Sequence, residues 1–312
     1  MANASNHPDQ RDTFDADFKE DFNQGMLRML REGSSNDVRI ILSDGEITAN
    51  KDVLAAQCKY FAANLRWKEK IKDGSDSIDN TDCSKEVMER IIKYLFTGSI
   101  KFKDLDILQL LELLNQVRKM LLKDDLQNLI LAHLREDIFS LENLLNHSHD
   151  NLPTISKCTL CNNIIQGLKY VDKYVISIAR PEFLLGIIML LPRIAQDNGA
   201  TSAFSTLPDE VVYDLFIRFN RVRNGQIWTP MKKKSYNSAQ LRCILAWLDQ
   251  NKDVYPKVKE LLLSTIDLNF LPAADLFQLV KPSGLFHDDE VDKRIVQRLH
   301  ERDAFHAELQ PL

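Results

Sequence analysis

The sequence predicts a small α/β domain, in which a short sheet is capped by helices, followed by an all-helical half. Three observations carry this. Val38-Arg39-Ile40-Ile41-Leu42 alternates apolar and polar residues, turns at Asp44-Gly45 and returns through Ile47-Thr48-Ala49, which reads as a hairpin. The run KEVMERIIKYLFTG places Val87, Ile91, Ile92 and Leu95 on one helical side between Ser84 and Gly98, a start and a stop signal. From about residue 140 onward, 3.6-residue periodicity is broken only by short turns, at Pro153, Pro181, Asn198-Gly199, Pro208, Asn224-Gly225, Pro256, Pro272 and Pro282.

In chain order, residues 1–16 are polar and read as disordered. A helix over about 17–32 carries an apolar stripe of Phe18, Phe22, Met26, Met29 and Leu30, and ends at Gly33-Ser34. The hairpin follows. A helical pair over about 51–70 comes next, then a possible strand at Ser77-Ile78-Asp79 and the helix opened by Ser84. Ile100-Lys101-Phe102 is a brief extended piece, and helices are expected over 105–120 and 124–134. In the second half helices are expected over 140–146, 158–179, 181–196, 208–221, 235–250, 254–265, 272–280 and 288–303, stacked as antiparallel pairs. The expected organisation is therefore a segment 1–16, an α/β domain 17–135, a helical domain 136–305 and a tail 306–312.

Composition excludes several function classes. The 312 residues hold 45 acids against 40 bases, a net charge of −5, where a nucleic-acid binder needs a concentrated basic face. The longest apolar run, Phe183 to Leu191, is about half a membrane span and reads as a buried helix. The first residues lack the apolar core of a secretory leader. Five cysteines, mostly within apolar patterns, suit reduced thiols. A cytoplasmic protein, with the nucleus as the other option, is expected.

Catalytic and metal motifs are weak. His147-x-His149 followed by Cys158-x-x-Cys161 has zinc-ligand chemistry, but the His spacing is not that of a finger, and two structural thiols one helical turn apart explain the pair. Leu207-Pro208-Asp209-Glu210 looks like the opening of an F-box and equally like an ordinary helix start. Lys232-Lys233-Lys234 reads as a solvated turn after Pro230. No Gly-rich phosphate loop and no organised nucleophile occur, so no cofactor and no enzymatic activity are expected.

The stretches Phe22–Leu27 with Leu30–Gly33, Asp37–Phe61, VMERIIKYLFTGSIKF (87–102) and Leu105–Leu134 together resemble a BTB/POZ domain over about residues 18–135. One departure is Ala49-Asn50-Lys51, where that family usually has Ala-His-Lys; asparagine can take over a polar contact. The second half is similar to a BACK domain at Cys161–Ile164 with Leu168-Lys169-Tyr170, Phe204–Pro208, Tyr236–Leu248 with Trp247, Asp267–Leu271 and Val280–Leu285. The kelch repeats of many such proteins have no counterpart in the sequence.

The resemblance implies a non-catalytic adaptor. BTB domains of this kind pair through the first helix, which here would use Phe18, Phe22, Met26, Met29 and Leu30; the stripe could also pack on its own domain. Asp37 stands where the family places a buried acid at the dimer base, and a capping or turn contact is the alternative. Ligase members dock a cullin-3-type scaffold through a large apolar residue, any residue, then Glu; Trp67-Lys68-Glu69 stands in that place, with Tyr60, Phe61 and Leu65 as rim or core. Phe139–Leu145 could lengthen that contact or serve as packing. The implied function is a substrate-specific adaptor of a cullin-3-type ubiquitin ligase, with a homodimer, the scaffold and an unknown protein substrate as partners. The alternative is a dimeric scaffold protein that binds no cullin.

Overall fold

The computed structural model describes Gly25, Arg28, residues 37–71, 77–102, 104–122, 124–140, Leu144, and residues 159–224, 230–254 and 256–308. The chain divides into two compact units, Met1–Leu134 and Arg135–Leu312.

In the first unit, β1 (Val38–Leu42) and β2 (Gly45–Ala49) form the expected antiparallel hairpin, with Val38 opposite Ala49 and Leu42 opposite Gly45. Alternation decides which side is buried: Val38, Ile40 and Leu42 point into the core while Arg39 faces out. β3 (Ser77–Asp79) joins β1 in parallel, giving the strand order β2-β1-β3. Helices α1 (Lys51–Gln57) and α2 (Lys59–Ile71) are separated at Cys58, whose extended backbone (φ −137°, ψ 118°) breaks the run. Helix α3 (Lys85–Thr97) buries Val87, Met88, Ile91, Ile92, Leu95 and Phe96, then stops at Gly98 in the left-handed region (φ 67°). Helices α4 (Ile107–Lys119) and α5 (Asp124–His133) complete the unit.

Polar contacts refine the sequence reading. Asn50 caps α1: its Oδ1 accepts from the Val53 N–H at 2.9 Å. Ser84 is the N-cap residue of α3, but its side chain makes no capping bond. Its hydroxyl donates instead to Glu112 Oε2 at 3.0 Å, and its N–H also reaches Glu112. The cap is supplied from the hairpin turn, where Asp44 Oδ1 accepts from the Lys85 N–H at 2.7 Å. Asp44→Ala should therefore cost about 0.5–2 kcal/mol, seen as a lower urea midpoint, whereas Ser84→Ala acts through Glu112. Further along α4, Gln116 and Lys119 hold the loop before α3: Asn80 Nδ2 donates to Gln116 Oε1 at 3.1 Å, and Lys119 Nζ donates to Asn80 Oδ1 and Asp82 Oδ1, both at 2.7 Å. The extended piece Ile100–Phe102 joins no sheet.

The second unit is helical among its described residues: α6 (Thr159–Lys173), α7 (Arg180–Ile194), α8 (Asn198–Ser205), α9 (Asp209–Asn224), α10 (Pro230–Gln250), α11 (Pro256–Ser264) and α12 (Asp288–Glu308). Between α11 and α12 runs a broken helical stretch, residues 268–283. The apolar α7 packs against α6, α8, α9 and α10 and forms the core. Close approach of α6 and α7 depends on Gly167, where an added Cβ would lie 2.2 Å from the Phe183 ring.

Three expectations need correction here, and two readings left open, at Leu207-Pro208 and at Phe139, are decided. The expected helix 158–179 ends at Lys173. Helix α8 occupies a stretch read as a turn, because Asp197 Oδ1 caps it through the Ala200 N–H at 2.9 Å. Lys232–Lys234 lie within the first turns of α10, not in a loop. The Leu207-Pro208 run is a helix start, with Leu207 buried and its carbonyl accepting from Trp247 Nε1 at 2.8 Å. Phe139 is core: it is 8% exposed and meets Phe183 edge-to-face at 4.8 Å.

No described helix is long and apolar enough to cross a membrane. Among the described residues no group of His, Cys, Asp and Glu could hold a metal; His147, His149 and Cys158 lie outside them, and Cys161 is buried.

Candidate functional site

Helix α2 brings the sequence-predicted contact residues onto one element and separates their roles. Tyr60 and Trp67 are seven residues apart, two turns and about 10.5 Å along the same face. Trp67 is 64% exposed, unusual for so large an apolar side chain. Tyr60 and Leu65 are half-buried. Of the two places left open for Phe61, core and rim, the structure gives the core: it has no exposed surface and packs edge-on to Tyr60 at 5.5 Å, so it is not one of the contact residues. Glu69 lies on α2, with its side chain outside the described residues.

The turn after α4 lies against the start of α2. Cys58 Sγ donates to the Met120 carbonyl at 3.7 Å, and Lys119 Nζ sits 5.9 Å from the centre of the Tyr60 ring. Next in the chain, Leu121 is 79% exposed and held at φ 52°, while Leu122 is buried. This outward leucine escaped sequence reading. A Leu-Leu pair at a helix end does not show which member takes the left-handed position, and glycine is the usual occupant. Trp67 and Leu121 are thus exposed apolar side chains of the first unit, with Tyr60 half-buried on α2 between core and solvent.

The expected dimer residues Phe18, Phe22, Met26, Met29 and Leu30 lie outside the described residues. Asp37 is described. Its side chain is 41% exposed, accepts from the Lys51 N–H at 2.8 Å and pairs with Lys51 Nζ at 3.4 Å. Of the two roles left open for it, the local contact at the start of α1 is made within this chain.

A groove of about 690 Å³ runs between α3 and the 99–104 segment. Its walls mix Lys85, Lys93 and Lys101 with Glu86, Glu89 and Asp104. Arg90 is engaged by Glu86, Asp104 and the Lys101 carbonyl. These opposed charges include no nucleophile–base pair.

The buried thiols are likewise unsuited to chemistry. Burial pushes the Cys58, Cys83 and Cys243 thiols above their ordinary value, and at Cys83 the Glu112 carboxylate adds to it. In the unfolded chain these thiols ionise above about pH 8.5. The folded state then holds more protons than the unfolded state, so stability should fall as pH rises beyond that point. Denaturation midpoints measured between pH 7.5 and 10 check this. A thiol reagent at pH 8 should reach these three groups only after unfolding.

A family model for the BTB/POZ domain matches residues 26–134. Residues 26–134 are a BTB/POZ domain. The match ends where the first compact unit ends, and the fold is a BTB fold followed by a helical region. The chain is also similar to BTB/POZ domain-containing protein 9 of Rattus norvegicus, Mus musculus and Homo sapiens. Each is 21% identical over 269 residues, which cover 86% of this chain and 37% of the relative. The chain thus spans 37% of the length of these curated relatives. Among solved structures, the BTB domain of human gigaxonin matches 42% of this chain and 95% of its own, at 23% identity and a TM-score of 0.25. A BTB domain is a protein-interaction module, and such domains typically dimerise and bind partner proteins.

Proposed function

We propose that the protein is a non-catalytic, dimeric adaptor of a cullin-3-type ubiquitin ligase. In this reading α2 of the BTB domain docks the scaffold, and the helical unit, taken as BACK-like, holds a protein substrate. The carrying observation is Trp67: a large aromatic, 64% exposed, on a BTB domain, in an apolar-x-Glu sequence with Glu69. Such a residue supplies a hot-spot anchor, because it gains a large desolvated area when a partner's pocket closes over it. Tyr60 and Leu121 flank it as rim contacts, and Glu69 fixes orientation through a charge-assisted hydrogen bond. Phe18, Phe22, Met26, Met29 and Leu30, with Asp37 at the base, form the dimer face. Pairing two such chains raises the effective concentration of the ligase at a multivalent substrate. In this reading the protein acts in the cytoplasm, with the nucleus as the alternative.

A pulldown of the full chain with the recombinant N-terminal region of cullin-3 tests this. Wild type should bind, and both Trp67→Ala and Glu69→Lys should lose binding. Failure of the wild type removes the ligase reading and leaves a dimeric scaffold protein; binding kept by both variants removes the α2 site alone.

A further inference from the structure

Among the described residues, the two non-glycine positions held at positive φ are Leu121 (52°) and Val175 (53°), and they are also the two most exposed large apolar side chains, at 79% and 73%. Leu121 flanks the α2 surface. Val175 lies in the second unit, in the turn between α6 and α7, and that surface is assigned no role above. A β-branched side chain in the left-handed region crowds the backbone, and here it gains no burial in return. The turn is a regular helix stop, with the Ile176 N–H donating to the Val171 carbonyl at 2.8 Å, a geometry glycine would satisfy without strain. Strain held at an exposed apolar residue points to use of that residue.

The surroundings define what would use it. The half-buried Tyr170, on α6, and Tyr174, just past its end, meet with ring centres 4.4 Å apart and planes tilted by 37°, and Lys173 Nζ sits 5.0 Å from the Tyr174 ring. Ile178 is 47% exposed in the same turn. Lys169 is half-buried and donates to the Thr206 hydroxyl. Among the described residues neither Lys169 nor Lys173 has a carboxylate within ion-pair distance. The acid of this stretch, Asp172, is held by Arg180 at 2.9 Å. Burial depresses the Lys169 ammonium below its ordinary value, as expected of a cation lacking a counter-ion.

We propose that the face formed by Lys169, Tyr170, Lys173, Tyr174, Val175 and Ile178 is a docking site for a segment of a partner protein that carries an apolar residue flanked by carboxylates. Val175 and the two tyrosines take the apolar residue, and the two lysines take the acids. Tyrosine is enriched among protein-binding hot spots, and the rim of such an interface is polar. The assignment stands whether or not α2 takes a cullin.

The probe is a library of random twelve-residue peptides displayed on phage and selected on the full chain, with enriched peptides then synthesised and titrated. Enriched sequences should carry Asp or Glu on both sides of an aromatic or aliphatic residue. Val175→Asp and Lys169→Glu should each weaken binding by about tenfold or more. Val175→Gly should also weaken binding while unfolding at an equal or higher temperature, because glycine accepts the backbone angle; this separates lost contact from lost fold. Absence of enrichment, a consensus without acids, or peptides indifferent to the Val175 and Lys169 variants would overturn the proposal. So would a wild-type dimer that Val175→Asp converts to monomer, since the occupant would then be a second copy of this chain.

Discussion

Trp247→Ala is expected to destabilise the helical unit by about 3–5 kcal/mol, the usual cost of emptying a buried aromatic site. Trp247 is 1% exposed on α10, and its indole N–H donates to the Leu207 carbonyl at 2.8 Å. One turn later, just past α10, Asn251 Nδ2 donates to the Ser205 carbonyl at 3.0 Å, so the end of α10 satisfies two carbonyls at and just after the end of α8. The substitution opens a cavity and leaves the Leu207 oxygen buried without its donor. Trp247→Phe refills much of the volume but not the bond, and should cost about 1–3 kcal/mol for the unsatisfied carbonyl. Urea denaturation followed by circular dichroism should show the alanine midpoint shifted by about 1–3 M. Equal midpoints for wild type and alanine would mean that the α8–α10 contact does not support the unit.

Two aromatics on α2 should respond in opposite ways. Phe61→Ala removes a ring with no exposed surface and should cost about 3–5 kcal/mol of stability. Trp67→Ala removes a ring that is 64% exposed and should leave stability within about 0.5 kcal/mol. Its effect is expected in partner binding, a loss of at least about 2 kcal/mol, or roughly 30-fold in affinity. Six positions along one helix thus separate a folding residue from a docking residue. Thermal unfolding and calorimetric titration on the same two variants read both quantities. A Trp67→Ala protein that unfolds far below wild type would place the ring in the core.

The first unit was largely legible in the sequence because its signals are local. Alternation from Val38 to Leu42, the Asp44-Gly45 turn and the Ser84 to Gly98 helix each follow from neighbours a few residues apart. What sequence missed depends on residues far apart in the chain. Ser84 carries the right cap residue, yet its hydroxyl is taken by Glu112, and Asp44 supplies the cap from the hairpin. Tyr60-Phe61 reads as one aromatic pair, and only packing shows that Phe61 is core. In the second unit the Asn198-Gly199 pair hid α8, although Asp197 was a cap signal ahead of Ala200, Ala203 and Phe204. Lys232–Lys234 read as a loop because charge is a weak guide to helix starts; Pro230 at the first helical position was the better signal. The exposed Leu121 and Val175 could not be read at all, since apolar residues at helix ends are expected to be buried and left-handed positions are expected to hold glycine.

The most direct test of the adaptor reading is light scattering of the full chain, alone and mixed with the N-terminal region of cullin-3, as the sample elutes from a sizing column. The expected result is a two-chain species alone and a complex of two chains with two cullin fragments in the mixture, with Trp67→Ala remaining at two chains. A wild-type protein that elutes as a single chain, or that leaves the cullin fragment to elute by itself, would contradict a paired platform that docks its scaffold through α2.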